Sequence, residues 1–249
     1  MHIIQVQDVW KKFRIPHEKR TTILENIAGI LQILEGKRFT YEEFWALKAV
    51  DFSIERGESI GIIGENGSGK STLLKLMANI MRPDKGSVNV SGKVAPILEL
   101  GLGFHPDLTV KENVLIYGSI MGLKNSEVKK RMDSIIEFAG IERFRDTKLK
   151  SLSSGMMMRL AFSVAIEVKP DIFLVDEAFA VGDIEFQEKC LDKFKQFQAE
   201  KKTIVLVSHA LSFVRDFCKR AVCLSKGEVV AVGEAGSVVE TYMKRAASG

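Results

Sequence analysis

The chain has 249 residues, of which 46% are hydrophobic and 27% are charged, and this balance excludes a wholly disordered protein. Its 36 basic and 32 acidic residues give a net charge of +4, which is too small to indicate nucleic-acid binding. No apolar run reaches the about 18 residues that a membrane-spanning helix needs, and the first residues lack a secretory-signal pattern. Three cysteines without metal-ligand spacing favour reduced thiols in the cytosol.

The hydrophobic pattern predicts strands that alternate with helices. Strands are predicted at 3–9, 45–54, 59–63, 87–98, 171–175 and 203–208, with a hairpin at 221–232. Helices are predicted at 23–35, 70–81, 156–167, 186–201, 211–218 and 241–245, and most of 109–144 is predicted to be helical. This alternation predicts an α/β core with parallel strands, and the helical stretch after Leu100 predicts an inserted subdomain.

A phosphate-binding motif is present without departure from its pattern GxxxxGK[ST]. It reads Gly64-Glu65-Asn66-Gly67-Ser68-Gly69-Lys70-Ser71, follows a predicted strand and precedes a helical stretch that begins at Thr72. The glycines let backbone N–H groups surround phosphate oxygens, and the helix N-terminus adds a favourable dipole. We expect residues 64–72 to bind the nucleotide, with Lys70 at the β- and γ-phosphates and the Ser71 hydroxyl on Mg²⁺. A chance glycine-rich turn is the alternative, and the strand and helix on either side count against it.

Two acidic residues, Asp176 and Glu177, follow a short apolar strand. Ligands of open α/β sheets bind at the carboxyl ends of the strands, so Asp176 is suited to hold Mg²⁺ and Glu177 to deprotonate the attacking water. Acidic residues at such a place are often only helix caps, and the upstream phosphate loop favours the catalytic role. His209 follows another buried strand and is placed to contact the γ-phosphate, although a lone histidine is usually structural.

A family resemblance follows from the next motif. Leu152-Ser153-Ser154-Gly155-Met156 resembles the LSGGQ signature of ATP-binding cassette (ABC) ATPases, and residues 180–183 resemble the loop after their catalytic glutamate. The resemblance covers roughly residues 3–235. It implies a P-loop NTPase fold of the ABC type, with a RecA-like core, an antiparallel β subdomain and an inserted α-helical subdomain.

The resemblance also implies how the chain is divided. Residues 1–98 and 160–240 would form the RecA-like core and the β subdomain, with a helical insertion at about 14–44. Residues 99–159 would form the helical subdomain with the signature, and 241–249 a C-terminal tail.

Cassettes of this family form head-to-tail homodimers in which ATP lies between the phosphate loop of one copy and the signature of the other. The resemblance therefore implies that Ser153 and the N–H of Gly155 contact the γ-phosphate in the second copy. Phe13 stands where the family keeps the aromatic residue that stacks on adenine, and Trp10 is the competing candidate. The signature reads Ser153-Ser154-Gly155-Met156 where the family usually has SGGQ. The family also has a glutamine that contacts Mg²⁺, and Glu99 is the nearest candidate for that position.

The signature and residues 98–106 are similar to the ATPase subunits of polysaccharide exporters, especially O-antigen and teichoic-acid transporters. This similarity implies an ATPase that powers export of a lipid-linked polysaccharide. It would lie on the cytoplasmic face of the cell membrane, bound to a separate integral membrane permease, with no nucleic acid as partner. The predicted helix at 23–35 would then lie near the mouth of the channel, and packing on its own cassette is an equal alternative.

Other functions stay open at this point. They are another type of ABC transporter, including an importer, and a cassette ATPase that acts on DNA or ribosomes. The latter proteins carry a long coiled coil or two cassettes in one chain, and this sequence has neither. A small-molecule kinase shares the phosphate loop, but neither the signature nor the Asp176-Glu177 pair.

Overall fold

The structure is a computed structural model that describes residues 1–16, 41–98, 100–176 and 182–247. The strands are β1 (His2–Pro16), β2 (Tyr41–Glu55), β3 (Ser59–Gly64), β4 (Lys85–Val90), β5 (Val94–Ile97), β6 (Ile172–Asp176), β7 (Thr203–Val207), β8 (Arg220–Ser225) and β9 (Glu228–Glu234). The α-helices are α1 (Lys70–Met77), α2 (Val110–Ile120), α3 (Asn125–Ala139), α4 (Ser154–Ala165), α5 (Ile184–Ala199), α6 (Leu211–Phe217) and α7 (Ala235–Ala246). Short 3₁₀ turns lie at Glu142–Phe144, Leu149–Ser151 and Ile166–Val168.

The strands form two sheets. A central six-stranded sheet has the order β5-β6-β7-β3-β8-β9, in which the first five strands are parallel and β9 is antiparallel to β8. A three-stranded antiparallel sheet has the order β2-β1-β4. Strands β3 and β7 are buried along their whole length, as expected for parallel strands with both faces covered. The predicted α/β class, with a separate antiparallel sheet and a helical subdomain, is confirmed.

The apolar core lies on both faces of the central sheet. On one face, α1 and the three-stranded sheet pack against it, with buried side chains such as Ile4, Leu73 and Leu174. On the other face, α2 to α5 pack against it, with buried side chains such as Val114 and Phe173. Phe173 and Leu174 are neighbours on β6, so their opposite placement shows the alternation of a strand buried on both sides.

The single strand predicted at 87–98 is wrong. The segment forms β4 in the three-stranded sheet and β5 in the central sheet. The chain changes sheets at Gly92, which has a φ of +139°, and the Asp171 carboxylate accepts a hydrogen bond from the Lys93 N–H. The residues between the two strands, Ser91-Gly92-Lys93, are a turn signal that the prediction of one continuous strand missed.

Strands β1 and β2 are longer than predicted and reach into the insertion expected at about 14–44. They remain paired through Arg14↔Glu43 and Pro16↔Tyr41. We call these paired ends the β1–β2 stem. Within it, Lys12 and Arg14 donate hydrogen bonds to the Glu43 carboxylate and hold the pKa of Glu43 below its ordinary value. The helix predicted at 23–35 lies outside the described residues.

Two helices differ from their predicted bounds. Helix α1 ends at Met77 rather than at 81, because the chain turns at Asn79 with a φ of +55°. Helix α7 begins at Ala235 rather than at 241. At this start, the Glu234 side chain accepts hydrogen bonds from the N–H groups of Gly236 and Ser237. Within the described ranges, no helix is long and apolar enough to cross a bilayer.

Candidate active site

The phosphate loop runs from the end of β3 to the start of α1 and requires glycine at both ends. Gly64 has a φ of +150°, and a Cβ atom there would lie 2.2 Å from the carbonyl oxygen of Leu224. Gly69 has a φ of +106°, and a Cβ atom there would lie 2.6 Å from the carbonyl oxygen of Ala46. The loop therefore lies in close contact with the end of β8 and with strand β2. Glycine is needed at both positions because L side chains rarely adopt such φ values.

Lys70 lies inside the curve of this loop. Its side chain is buried, and its ammonium donates hydrogen bonds of 2.8 Å to the carbonyl oxygens of Gly64 and Glu65. The positive charge is therefore held next to the backbone N–H groups at the N-terminus of α1. Together they form a site for an anion.

A second feature of the loop indicates a polar ligand. The Ser68 hydroxyl is buried and has no hydrogen-bond partner in the part of the chain that the structure describes. Leaving such a group unpaired costs about 1–3 kcal/mol. At Gly67, by contrast, a Cβ atom would meet none of the described residues within 4 Å, so the outer side of the loop is open. The loop thus fits the phosphate groups of a nucleotide.

A cavity of about 250 Å³ lies over the loop. Its wall consists of strand residues, loop residues, the first turn of α1 and a histidine, namely Phe13, Phe44, Ala46, Asn66, Gly67, Gly69, Lys70, Ser71, Thr72 and His209. The structure therefore brings the predicted Phe13, most of the phosphate loop and His209 together in one place.

The strand register explains why His209 and Asp176 lie at this edge. Asp176 ends β6 and pairs with Val207 of β7, and Val207 also pairs with Ile62 of β3. Because these parallel strands end together, Asp176 lies at the edge of the sheet where the phosphate loop begins, and His209, two residues after β7, lines the cavity over the loop. Glu177 and Glu99 lie outside the described residues, so their predicted roles stay predictions.

The two aromatic candidates on β1 lie in different surroundings. Phe13 lines the cavity. Trp10 instead packs edge-to-face against Trp45 at 5.4 Å, and the Lys85 ammonium lies 5.3 Å from the centre of its ring. Trp10 is therefore not among the residues that line the cavity.

The signature lies at the N-terminus of α4 and outside this cavity. The Ser153 hydroxyl caps the helix by accepting a hydrogen bond of 3.2 Å from the Met156 N–H. Around Gly155, a Cβ atom would have only the Ser153 hydroxyl within 4 Å among the described residues, so the helix end is open. Within the described residues of one copy, the signature does not share a cavity with the phosphate loop.

Cysteine chemistry does not contribute to this site. All three cysteines are buried, and burial raises the pKa of Cys190 and Cys218 to about 12. Only thiolates are nucleophilic, so these thiols are inert at neutral pH. Within the described ranges, no group of histidine, cysteine and acidic residues has the arrangement of a metal site.

Sequence reasoning missed Phe44 and Ala46 as cavity residues. They belong to β2, and only the pairing of β2 with β1 brings them beside Phe13. The sequence predicted this strand only from Trp45 onward, and it gave no register.

Comparisons with known proteins agree with the fold and the loop. A family model described as ABC transporter matches residues 47–180. The O-antigen export system ATP-binding protein RfbB of Klebsiella pneumoniae is 38% identical, over 96% of this chain and 97% of that protein. The teichoic acids export ATP-binding protein TagH of Listeria innocua is 42% identical, over 81% of this chain and 60% of that protein. The chain spans 56–65% of the length of other curated relatives that it matches.

A solved structure has the same fold. It is a dimeric ATP-binding cassette in a post-hydrolysis state, bound to ADP and phosphate. The match has a TM-score of 0.73 and 25% sequence identity, and it covers 93% of this chain and 98% of that chain. The resemblance that rests on the motifs of the sequence is thereby confirmed.

Proposed function

Since the chain belongs to the ABC transporter family, we propose that it is the ATP-hydrolysing subunit of an exporter for a lipid-linked polysaccharide of the O-antigen or teichoic-acid type. One observation carries this proposal: the similarity to the Klebsiella O-antigen export protein extends over nearly the whole of both chains. The phosphate-loop cavity supplies the site at which ATP binds.

Residues 64–72 hold the phosphates in this proposal. The backbone N–H groups of the loop and the N-terminus of α1 point toward the anion, and Lys70 contributes a buried positive charge. Lys70 exchanges its carbonyl partners for β- and γ-phosphate oxygens when ATP binds. The Ser68 hydroxyl, which has no partner among the described residues, gains an acceptor at the same time.

Ser71, Asp176 and Glu99 are the residues proposed to hold Mg²⁺. All three offer oxygen atoms, which are the ligands that Mg²⁺ prefers. Bound Mg²⁺ neutralises charge on the β- and γ-phosphates during transfer to water. The register of β3, β6 and β7 supports this assignment for Asp176, because it brings that carboxylate to the edge where the loop begins.

Hydrolysis itself is assigned to Glu177 and His209. Glu177 follows Asp176 directly, and its carboxylate orients the attacking water and accepts its proton. His209 lines the phosphate-loop cavity and contacts the γ-phosphate. The base stacks on Phe13, which lines the same cavity.

A second copy of the chain completes the site. In one copy, Ser153 and Gly155 lie at an open helix N-terminus outside the cavity. In a head-to-tail dimer, that helix end contributes its N–H groups to the γ-phosphate of the partner's ATP. The solved cassette with the same fold is a dimer bound to ADP and phosphate, which supports this arrangement.

The transport step needs a separate integral membrane permease. The chain would bind it at the cytoplasmic face of the cell membrane, and the lipid-linked polysaccharide would be the cargo. Nucleic acid is not a partner in this proposal, in line with the small net charge of +4. The alternative, another ABC transporter or a non-transport ABC ATPase, fits the family match but does not account for 38% identity to the export protein over nearly the whole of both chains.

The proposal is tested by Lys70→Ala in cells that depend on this chain for their surface glycan. Surface glycan should disappear while lipid-linked glycan accumulates inside, because phosphate binding is lost. Lys75→Ala is the matched control, since Lys75 lies on the same helix but does not line the cavity. Normal surface glycan in cells with Lys70→Ala would show that the chain does not power this export.

A further inference from the structure

We propose that Phe44 binds the nucleobase together with Phe13, so that the base stacks on a pair of aromatic side chains. This inference rests on the proposed binding of ATP and adds a specificity-determining residue to it. Phe13 and Phe44 are direct partners in the β1–β2 register, and both line the cavity over the phosphate loop.

The strand register places the two rings on the same face of the three-stranded sheet. Pairing is regular from Lys12↔Trp45 through Phe13↔Phe44 to Arg14↔Glu43. Directly opposite residues of an antiparallel pair have Cβ atoms about 4.5–5.5 Å apart and project to the same face of the sheet. The two side chains therefore lie side by side, and a fused purine ring can cover both.

Phe44 is exposed to an extent that is unusual for its size. Its exposed fraction is 48%, whereas most of the apolar side chains of β1 and β2 are buried. Stacking of a base would remove part of this ring from water, which is favourable for apolar surface. Phe13 is half-buried and lies on the same cavity wall.

Strand β2 fixes Phe44 relative to the phosphate loop. The carbonyl oxygen of Ala46 lies where a Cβ atom of Gly69 would come within 2.6 Å, so strand and loop are in close contact. The Lys48 N–H donates to the carbonyl oxygen of Gly227, and the Gly227 N–H donates to that of Ser68. Phe44 precedes Ala46 by two residues, about 7 Å along the strand, and both line the cavity.

Phe13 belongs to β1, the neighbour of β2 in the three-stranded sheet. One face of this ring lies under the ammonium of Lys11, at 5.8 Å from the ring centre. Lys11 is itself held by the Asp84 carboxylate at 3.2 Å. A second ring beside Phe13 enlarges the surface on which a base can stack.

The test compares the binding of ATP with that of inorganic tripolyphosphate by titration calorimetry, using the full chain. Phe44→Ala should weaken ATP binding at least about fivefold, the lower limit for loss of base stacking. Tripolyphosphate binding should not change, because the phosphate loop is intact. Phe44→Tyr keeps the ring and should bind ATP within about twofold of wild type.

Trp45→Phe is the matched control, since Trp45 is the next residue on β2, faces the opposite side and packs against Trp10. It should leave ATP affinity unchanged. Wild-type ATP affinity in Phe44→Ala would overturn the proposal, as would an equal loss of ATP and tripolyphosphate binding. A wild-type chain that binds no ATP would instead contradict the proposed function, so the two failures are distinguishable.

Discussion

Lys70 is the residue on which we expect nucleotide binding to depend most. Its ammonium is buried and bonded to two loop carbonyls, at the place where phosphate oxygens would lie. Hydrogen bonds to charged groups contribute about 1.5–3 kcal/mol. We expect Lys70→Ala to raise the ATP dissociation constant at least about tenfold and to abolish hydrolysis, as measured by calorimetry and phosphate release. Unchanged ATP affinity would contradict the role of Lys70.

Glu177 is predicted to act only in the chemical step. Glu177→Gln keeps the size of the side chain and removes the base, so ATP should still bind while hydrolysis slows by about 10²–10⁴. Steady-state phosphate release measures the effect. Glu188→Gln, an exposed position on α5, is the control and should hydrolyse ATP at the wild-type rate. Near-normal activity of Glu177→Gln would remove the assignment.

The residues of the phosphate loop could be predicted from the sequence because eight consecutive positions carry the motif. Lys70 and Ser71, which belong to this motif, line the cavity. Phe44 could not be predicted in this way. Its place beside Phe13 depends on a strand register that shifts several times between His2 and Lys12, and no local pattern encodes those shifts.

At the scale of elements, the contact between β2 and the phosphate loop gives a stability prediction. Gly69 and Gly67 both have positive φ values, but only at Gly69 would a Cβ atom meet backbone of the described residues, the carbonyl oxygen of Ala46 at 2.6 Å. Gly69→Ala should therefore lower the free energy of unfolding by about 2 kcal/mol or more beyond Gly67→Ala. Urea unfolding without nucleotide measures both. Equal effects would show that the strand is not in close contact with the loop.

The β1–β2 stem leads to a second prediction for an element. The strands remain paired up to Pro16↔Tyr41, so replacement of 17–40 by a short glycine-containing turn leaves the described pairing intact. We expect the melting temperature and basal ATP hydrolysis of the isolated chain to stay near wild type, and glycan export in cells to fail. This outcome is expected if the helix predicted at 23–35 lies near the mouth of the channel and does not pack on its own cassette. A large fall in both melting temperature and hydrolysis would show that the segment belongs to the fold.

The buried parallel strands could be predicted because β3, β6 and β7 are short apolar runs without polar breaks. The division of 87–98 into β4 and β5 was missed although Ser91-Gly92-Lys93 lies between the strands. The sheet that each strand joins depends on long-range pairing, which no local pattern encodes. The start of α7 was also missed. Its first turn is held by the side chain of Glu234, and a glutamate is not a typical N-cap.

At the scale of the whole molecule, the positions of the phosphate loop and the signature bear on how many copies of the chain the proposed site needs. The phosphate loop and the signature lie apart in one copy, and the described helices include none that could span a membrane. In the proposed arrangement, a second copy completes the site for hydrolysis, and a separate membrane permease carries the polysaccharide. The order of motifs along the chain was sufficient to predict the family, which the comparisons confirm.

The most direct test is transport by the full chain reconstituted in proteoliposomes with its membrane permease and a labelled lipid-linked polysaccharide. We predict that labelled glycan crosses the bilayer only when ATP and a hydrolysing chain are present, and that Glu177→Gln abolishes the transfer. If the complex hydrolyses ATP at full rate while no glycan crosses, and the glycan leaves the rate of hydrolysis unchanged, the chain is not the ATPase of a polysaccharide exporter.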